Sequence, residues 1–303
     1  VAVYVERLDA LAAGHILAAV RLVSPFLLRT VSPGLHDLKG ARLTGVRRLG
    51  KRIVLELDDA DEAPLFAVIH LMIAGRLRWR PDGAKRTARN AVALFDFDHG
   101  TLLFTEASKK KRASLHIVRG EGALSGFDRG GIDLRTATPQ AFAAPFQEER
   151  HTLKRTLTDP RFFDGIGNAF SDEILWHAKL SPVRMSDKLT GSELEQLHSS
   201  AIAVLQEWTE RTRAEVGDGF PEKVTAFRAE MAVHGKHKQP CPRCQTPVQR
   251  IVYAEHETNY CPTCQTGGKL LADRALSRLL KGDWPRTVTE LEEIRKTGPK
   301  RRK

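Results

Sequence analysis

Apolar residues recur at helical spacing from the first position: Val1, Tyr4, Val5, Leu8, Leu11 and Ala12, with Gly14 where a helix would stop. From 16 to 119 the period shortens. The stretches "ILAAVRLV", "ARLTGVRRL", "RIVLELDD", "LFAVIHLMI" and "VALFDFDHGTLLF" are short apolar or alternating runs, punctuated by Gly40, Gly50 and the "DHG" at 98–100. Strands at such close intervals predict a sandwich or a small barrel. The segment "GEGALSGFDRGGIDLR" (120–135), rich in Gly and charge, predicts a linker. From Pro139 the period becomes helical. "TPQAFAAPFQEE", "RHTLKRTLTD", "NAFSDEILWHAKL" and "TGSELEQLHSSAIAVLQEWTERTRAE" predict four helices, the last capped by Thr190 or Ser192 ahead of Glu193 and Glu195. A Gly-rich "VGDGFPEK" follows, then a Cys-bearing segment from about 237 to 267. The charged extension closing in "KTGPKRRK" reads as a disordered basic tail.

Charge narrows the picture. The net charge of +11 over 303 residues, with a pI near 9.7, points to a polyanionic partner and favours nucleic acid over a merely soluble basic protein. The length allows two or three domains. No apolar run approaches the eighteen or so residues of a membrane span and no secretory leader is visible, so the expectation is a cytoplasmic protein without a membrane partner.

All four cysteines fall in two C-x-x-C pairs, Cys241 with Cys244 and Cys261 with Cys264, separated by sixteen residues. This spacing brings four thiolates to one tetrahedral Zn²⁺. The intervening "QTPVQRIVYAEHETNY" alternates well enough to be a β-hairpin. Four Cys leave no position for water, so the ion is expected to be structural and to make foldable a hairpin too small to bury a core of its own.

A third stretch, "LTDPRFFDGIGNAFSDEILWHAKLSP" (157–182), is more particular. Gly165 and Gly167 flank Ile166, and Asn168 opens a helix. Backbone N–H groups at such a turn suit a phosphate; a tight turn between helices with Asn168 as a cap is the plainer reading. With Lys154 before it and Pro182 after it, "DGIGNAFSDEIL" resembles the helix–two-turn–helix element of the formamidopyrimidine-DNA glycosylase and endonuclease VIII family. That family also begins with a helix leading into a β-sandwich and ends in a four-Cys zinc hairpin, so the resemblance covers roughly residues 1–267. "RRLGKRIVLEL" (47–57) is similar to its β-turn bearing a Lys, here Lys51. "HLMIAGRL" (70–77), starting at His70, is similar to its "HLGMSG"-like strand end.

The resemblance implies base excision on double-stranded DNA carrying damaged bases or abasic sites. A base is flipped out, its glycosidic bond is cleaved, and the strand is nicked through a covalent imine. The family's nucleophile is the N-terminal amine of a "PELP" start, whose α-amino pKa near 7.7–8.0 leaves a neutral fraction that a Lys near 10.4 lacks. The following Glu moves protons during opening of the sugar. In that alignment Val1 lies after these residues, and the catalytic amine and acid are expected upstream of Val1; within the chain, Lys51 is the possible catalytic contributor.

Other positions depart from the family pattern. Ile73, beside Met72, takes the place of a Met that fills the gap left by the flipped base. "TEASKKKRASLH" replaces a "DPRRFG" loop, keeping the charge of Lys109, Lys110, Lys111 and Arg112 without the aromatic wedge. His256 stands where the zinc hairpin usually carries an Arg. The lid over oxidised guanine, often "GGTTLRDF", has no clear counterpart, so that specificity is not carried over. The DNA contacts implied are Lys51, His70, Lys109, Lys110, Lys111, Arg112, Lys154, Gly167, Asn168 and His256.

The expected fold class is therefore α+β and multidomain: an N-terminal helix with a β-sandwich (1–119), a linker (120–138), a helix–two-turn–helix domain (139–236), a zinc finger (237–267) and a charged extension (268–303). The expected function is that of a monomeric DNA-repair glycosylase with abasic-site lyase activity. A non-catalytic damaged-DNA-binding relative and a zinc-ribbon assembly factor are the alternatives.

Overall fold

The computed structural model describes residues 1–58, 63–82, 88–222, 227–253, 256–271 and 285–297. The chain divides into two compact units, Val1–Arg129 with Trp208–Ala226, and Gly130–Glu207 with Phe227–Lys303.

The first unit is a helix on a β-sandwich. Helix α1 (Ala2–Ala12) precedes β1 (Leu17–Leu22), β2 (Arg42–Leu49), β3 (Arg52–Asp58), β4 (Leu65–His70), β5 (Gly75–Pro81), β6 (Ala91–Phe97), β7 (Gly100–Glu106) and β8 (Ser114–Arg119). One sheet has the order β1-β6-β7-β5 and the other β2-β3-β4-β8, with all pairs antiparallel. Ile53, Leu55, Leu57, Ala67 and Ile69 of one sheet meet Phe95, Leu102, Phe104 and Leu77 of the other in a single apolar core. Each such Leu or Phe contributes about 1.5–3 kcal/mol on burial.

Two strands escape the apolar pattern. In β5, "GRLRWRP", arginines alternate with the inward Leu77 and Trp79; in β8, Leu115 and Ile117 alternate with polar residues. Strand β4 is buried on both faces because a short helix, α2 (Glu121–Ser125), covers the outer one. Leu124 there packs on Val54, Phe66 and Val68, so part of the stretch expected to link domains is built into the sandwich. Helix α1 docks along the edge strand β2 through Leu8 and Tyr4. Its Asp9 accepts the outward N–H of Val46 at 2.8 Å beside a bulge near Gly45, which satisfies and shields the edge.

Residues 208–226 group with this unit rather than with the helical segment in which the pattern places them. Arg7 donates to the carbonyls of Asp218 and Gly219, Arg213 pairs with Glu6 at 2.6 Å, Arg80 pairs with Glu222, and Phe220 lies 5.6 Å from the ring of Tyr4.

The second unit holds α3 (Pro139–Glu148), α4 (Leu153–Thr158), α5 (Asn168–His177) and α6 (Gly191–Val216), whose last turns belong to the first unit. Phe142, Phe146, Phe163, Leu157, Ile174 and Leu197 are buried there. Thr190 caps α6: it accepts the N–H of Glu193, whose carboxylate accepts the N–H of Thr190 in return, a closed capping box. The hairpin of β9 (Gln249–Tyr253) and β10 (His256–Tyr260) is followed by α7 (Pro262–Thr266). Helix α8 (Val288–Thr297) occupies part of the extension expected to be a disordered tail; 298–303 lie outside the described residues.

Candidate nucleic-acid interface and metal centre

One end of the sandwich gathers the basic turns. Arg52, His70 and Ser114 stand side by side in β3, β4 and β8, and Gly75 pairs with Glu106, so the turn at Gly50–Lys51, the turn 71–74 and the loop 107–113 all emerge at this end. Lys51 is half-buried in its turn. The side chain of His70 faces Lys51, Arg52 and His116. Burial first, then these positive neighbours, lower its pKa to about 4, which keeps it uncharged near neutrality. Its ring is a neutral hydrogen-bonding group set among cations.

The turn 71–74 is unusually tight. Gly75 donates its N–H to the Leu71 carbonyl at 2.9 Å, and a Cβ on Gly75 would lie 2.3 Å from that same oxygen, so only glycine closes it. Met72 adopts a φ of +53°, and the turn displays Met72 and Ile73, 41% and 68% exposed. Two apolar side chains thus stand in solvent beside a basic loop.

The loop of Lys109, Lys110, Lys111 and Arg112 is closed from beneath. The buried Glu106 carboxylate accepts the N–H groups of Arg112 (2.8 Å) and Ala113 (3.2 Å), and Lys111 donates its Nζ to the Glu106 carbonyl at 2.7 Å. All four basic residues are exposed.

In the second unit, Gly167 is the N-cap residue of α5 and no side chain caps that helix. Asn168 is thus not a cap. Its Nδ2 reaches out of α5 to the Glu257 carbonyl in β10 at 2.8 Å, tying the helix to the hairpin. Lys154, implied as a DNA contact, is largely buried. Its side chain is 13% exposed, and its Nζ donates to the Asn168 carbonyl at 2.7 Å and to Asp172 at 2.5 Å. Burial lowers its pKa, and Asp172 works against that shift. The side chain of His256 lies outside the described residues.

Pattern reading missed the group behind these residues. Asp172, fully buried, receives Lys154, His234 Nδ1 at 2.8 Å and the N–H of Asn259 at 3.1 Å. Its neighbour Glu173 accepts the N–H groups of Ala232, Val233 and His234 at 2.8–2.9 Å. The only signal was two adjacent acids in an otherwise apolar helix, "SDEIL".

The four cysteines converge and are unbridged. Cys244 Sγ lies 3.3 Å from Cys261 Sγ, and Cys241 Sγ 4.0 Å from Cys264 Sγ, too far for disulfides. These separations bracket the roughly 3.8 Å of a tetrahedron with 2.3 Å Zn–S bonds. Around them, Trp176 donates its indole N–H to Cys241 Sγ at 3.3 Å while Arg243 stacks on the Trp176 ring at 4.1 Å. Cys261 takes the cap position of α7, and Gln265 accepts the Cys261 N–H. The donor set fits zinc.

Comparison with known proteins follows the same three parts. A family model for the formamidopyrimidine-DNA glycosylase N-terminal domain matches residues 1–113, one for the formamidopyrimidine-DNA glycosylase H2TH domain matches 133–217, and one for a zinc finger found in FPG and IleRS matches 238–267. An uncharacterized formamidopyrimidine-DNA glycosylase-like protein of Mycobacterium tuberculosis is 44% identical over 129 residues, spanning 43% of this chain and 80% of that protein. The formamidopyrimidine-DNA glycosylase of Chloroflexus aurantiacus is 32% identical over 233 residues, 75% of this chain and 81% of that enzyme. The structure of Lactococcus lactis Fpg with an abasic-site DNA shares the fold, with a TM-score of 0.74 at 23% identity over 88% of this chain and 97% of that one. The Cys quartet holds one structural zinc ion. Among the described residues no helix is long and apolar enough to cross a membrane.

Proposed function

Because the chain belongs to the formamidopyrimidine-DNA glycosylase family, we propose that it is a monomeric base-excision enzyme that removes damaged bases from duplex DNA and nicks the strand at the abasic site, working at the nucleoid. The observation that carries this reading is the end of the sandwich where the glycine-closed turn holds Met72 and Ile73 in solvent beside Lys51 and the Lys109–Arg112 loop. A base leaving the stack opens a gap about one base thick. Apolar side chains on a rigid turn fill it, while the cations hold the phosphates on either side.

In the second unit the uncapped N-terminus of α5 at Gly167 offers backbone N–H groups to a phosphate, and Asn168 adds a side-chain contact. Lys154 acts mainly as a positioning residue. Two of its three N–H donors are committed to the Asn168 carbonyl and Asp172, so it sets where the first turn of α5 stands. Lys51 contacts the phosphate beside the lesion. The zinc-bearing hairpin carries the Glu257 carbonyl that fixes the Asn168 amide, and its His256 is the DNA contact it offers.

Borohydride trapping of the full-length protein on abasic-site and oxidised-base duplexes tests the activity. A covalent adduct and a nicked strand are expected. Tight, salt-dependent binding with no adduct would establish the non-catalytic binding relative instead. Asn168→Ala should weaken abasic-duplex binding about tenfold or more while costing only about 1 kcal/mol of stability; equal losses of both would make Asn168 a structural tie alone.

A further inference from the structure

The opposite end of the sandwich carries a constellation that DNA binding does not use. Asp98 and His99 form the turn between β6 and β7, where Phe97 pairs with Gly100, and His15 follows α1 just before β1. His15 Nδ1 lies 2.7 Å from Asp98 Oδ1 and His99 Nδ1 lies 2.9 Å from the same oxygen, with the two imidazoles stacked at 3.6 Å. Three residues from two separate parts of the chain thus aim two nitrogens and a carboxylate at one point, all within 4.8 Å of one another.

What surrounds the three distinguishes them from a chance surface cluster. His99 Nε2 lies 2.7 Å from the Leu11 carbonyl, which only accepts, so Nε2 carries the hydrogen. Nδ1, 2.9 Å from the Asp98 carboxylate, which likewise only accepts, donates there in the metal-free protein, and a metal ion would take the place of that hydrogen. Donation of the second ring N–H to a backbone carbonyl is how proteins orient a metal-ligating histidine. The Asp98 carboxylate is anchored in the same manner by the backbone N–H of Ile16. The ring of Trp79, 5.2 Å from that of His99, walls one side.

We propose that His15, Asp98 and His99 form a second metal site, binding one divalent transition-metal ion through His15 Nδ1, His99 Nδ1 and an Asp98 oxygen, with a further position open to water. Ligand atoms around a tetrahedral ion with bonds of about 2.0–2.1 Å stand about 3.3 Å apart, so the trio opens by about 0.5 Å to admit it. The side chains are 41%, 50% and 34% exposed, which suits an exchangeable ion rather than a sealed one. Two imidazoles and a carboxylate favour Zn²⁺ and its neighbours over Mg²⁺ or Ca²⁺. A bound ion would clamp the end of α1 and the start of β1 to the β6–β7 turn, away from the basic end.

The test is a Zn²⁺ titration of the full chain, already holding its thiolate-bound zinc, in competition with a chromogenic chelator. The wild type should take up a second equivalent, and His15→Ala and Asp98→Asn should each weaken that step at least about tenfold while keeping the first zinc. Saturating Zn²⁺ should raise the melting temperature of the wild type and leave that of both variants unchanged. Saturation at one zinc per chain, or a second equivalent equally strong in both variants, would overturn the proposal. Should His15→Ala fail to fold, Asp98→Asn, which keeps the shape of the turn, decides alone.

Discussion

In the sandwich unit the fully buried large side chains include Phe66, Phe95, Phe104, Leu17 and Ile53, and its chemistry sits on turns at the ends of strands. In the helical unit apolar residues such as Phe142 and Phe163 are buried too, but so are Asp172, Glu173, His234 and Asn259, and four thiolates stand where a small hairpin has too little apolar surface of its own. Apart from Glu106 under its basic loop, the sandwich is held mainly by area, which tolerates substitution of one apolar residue by another. The helical unit and its hairpin are held by matched partners, and removing one leaves another buried without its counterpart.

The comparison can be tested in order of expected effect. Removing zinc should be the largest perturbation, since structural zinc contributes apparent binding free energies of about 10–16 kcal/mol. Chelation, or Cys261→Ser, should expose 238–267 to protease while the sandwich stays protected; simultaneous loss of both would show that the units share one cooperative transition. Next, Asp172→Ala should cost about 3–5 kcal/mol in urea unfolding because Lys154 is left buried and unpaired. Adding Lys154→Met to Asp172→Ala should recover part of that loss, a non-additivity of about 0.5–3 kcal/mol. Phe104→Ala should cost a similar 3–5 kcal/mol but be additive with changes in the helical unit.

The third effect is on pH. The pKa of His70 is lowered to about 4, so the unfolded chain binds a proton that the folded one refuses between about pH 6.5 and 4. The stability owed to a neutral His70 is complete above about pH 6.5 and is lost progressively as the pH falls toward 4; His70→Gln should flatten the stability profile in that window. Smallest in stability is the triple change of Lys109, Lys110 and Lys111 to Ala, about 1 kcal/mol, carried by the lost hydrogen bond from Lys111 to the Glu106 carbonyl. Its signature lies in binding: the slope of log affinity against log salt should shrink by about 0.9 for each phosphate that these lysines no longer neutralise.

These differences also explain what was legible in the chain. Helix α1, most strands and the metal ligands announce themselves by period or spacing, because each is a local rule. Strand β5 hid because Arg76, Arg78 and Arg80 dilute its apolar alternation, and β8 because only Leu115 and Ile117 point inward. Lys154 reads as a DNA contact, and its buried tie stays hidden because nothing near it in sequence reveals Asp172, 18 residues on, as its partner. Asn168 reads as a cap because Asn at a helix start commonly is one; its actual acceptor, the Glu257 carbonyl, lies 89 residues away. The triad at His15, Asp98 and His99 gave no signal at all, since it exists only once β1 and β6 pair.

Asp172 has a consequence for how the protein is made. Its partners lie 18, 62 and 87 residues away along the chain. Until the hairpin has left the ribosome, this carboxylate has Lys154 and then His234 but lacks the N–H of Asn259. The first unit is in a similar position, since its closing segment, 208–226, is synthesised after most of the helices of the second. Each unit therefore waits on chain that emerges late: the first is complete only once 226 has emerged, and the second only after the hairpin that follows.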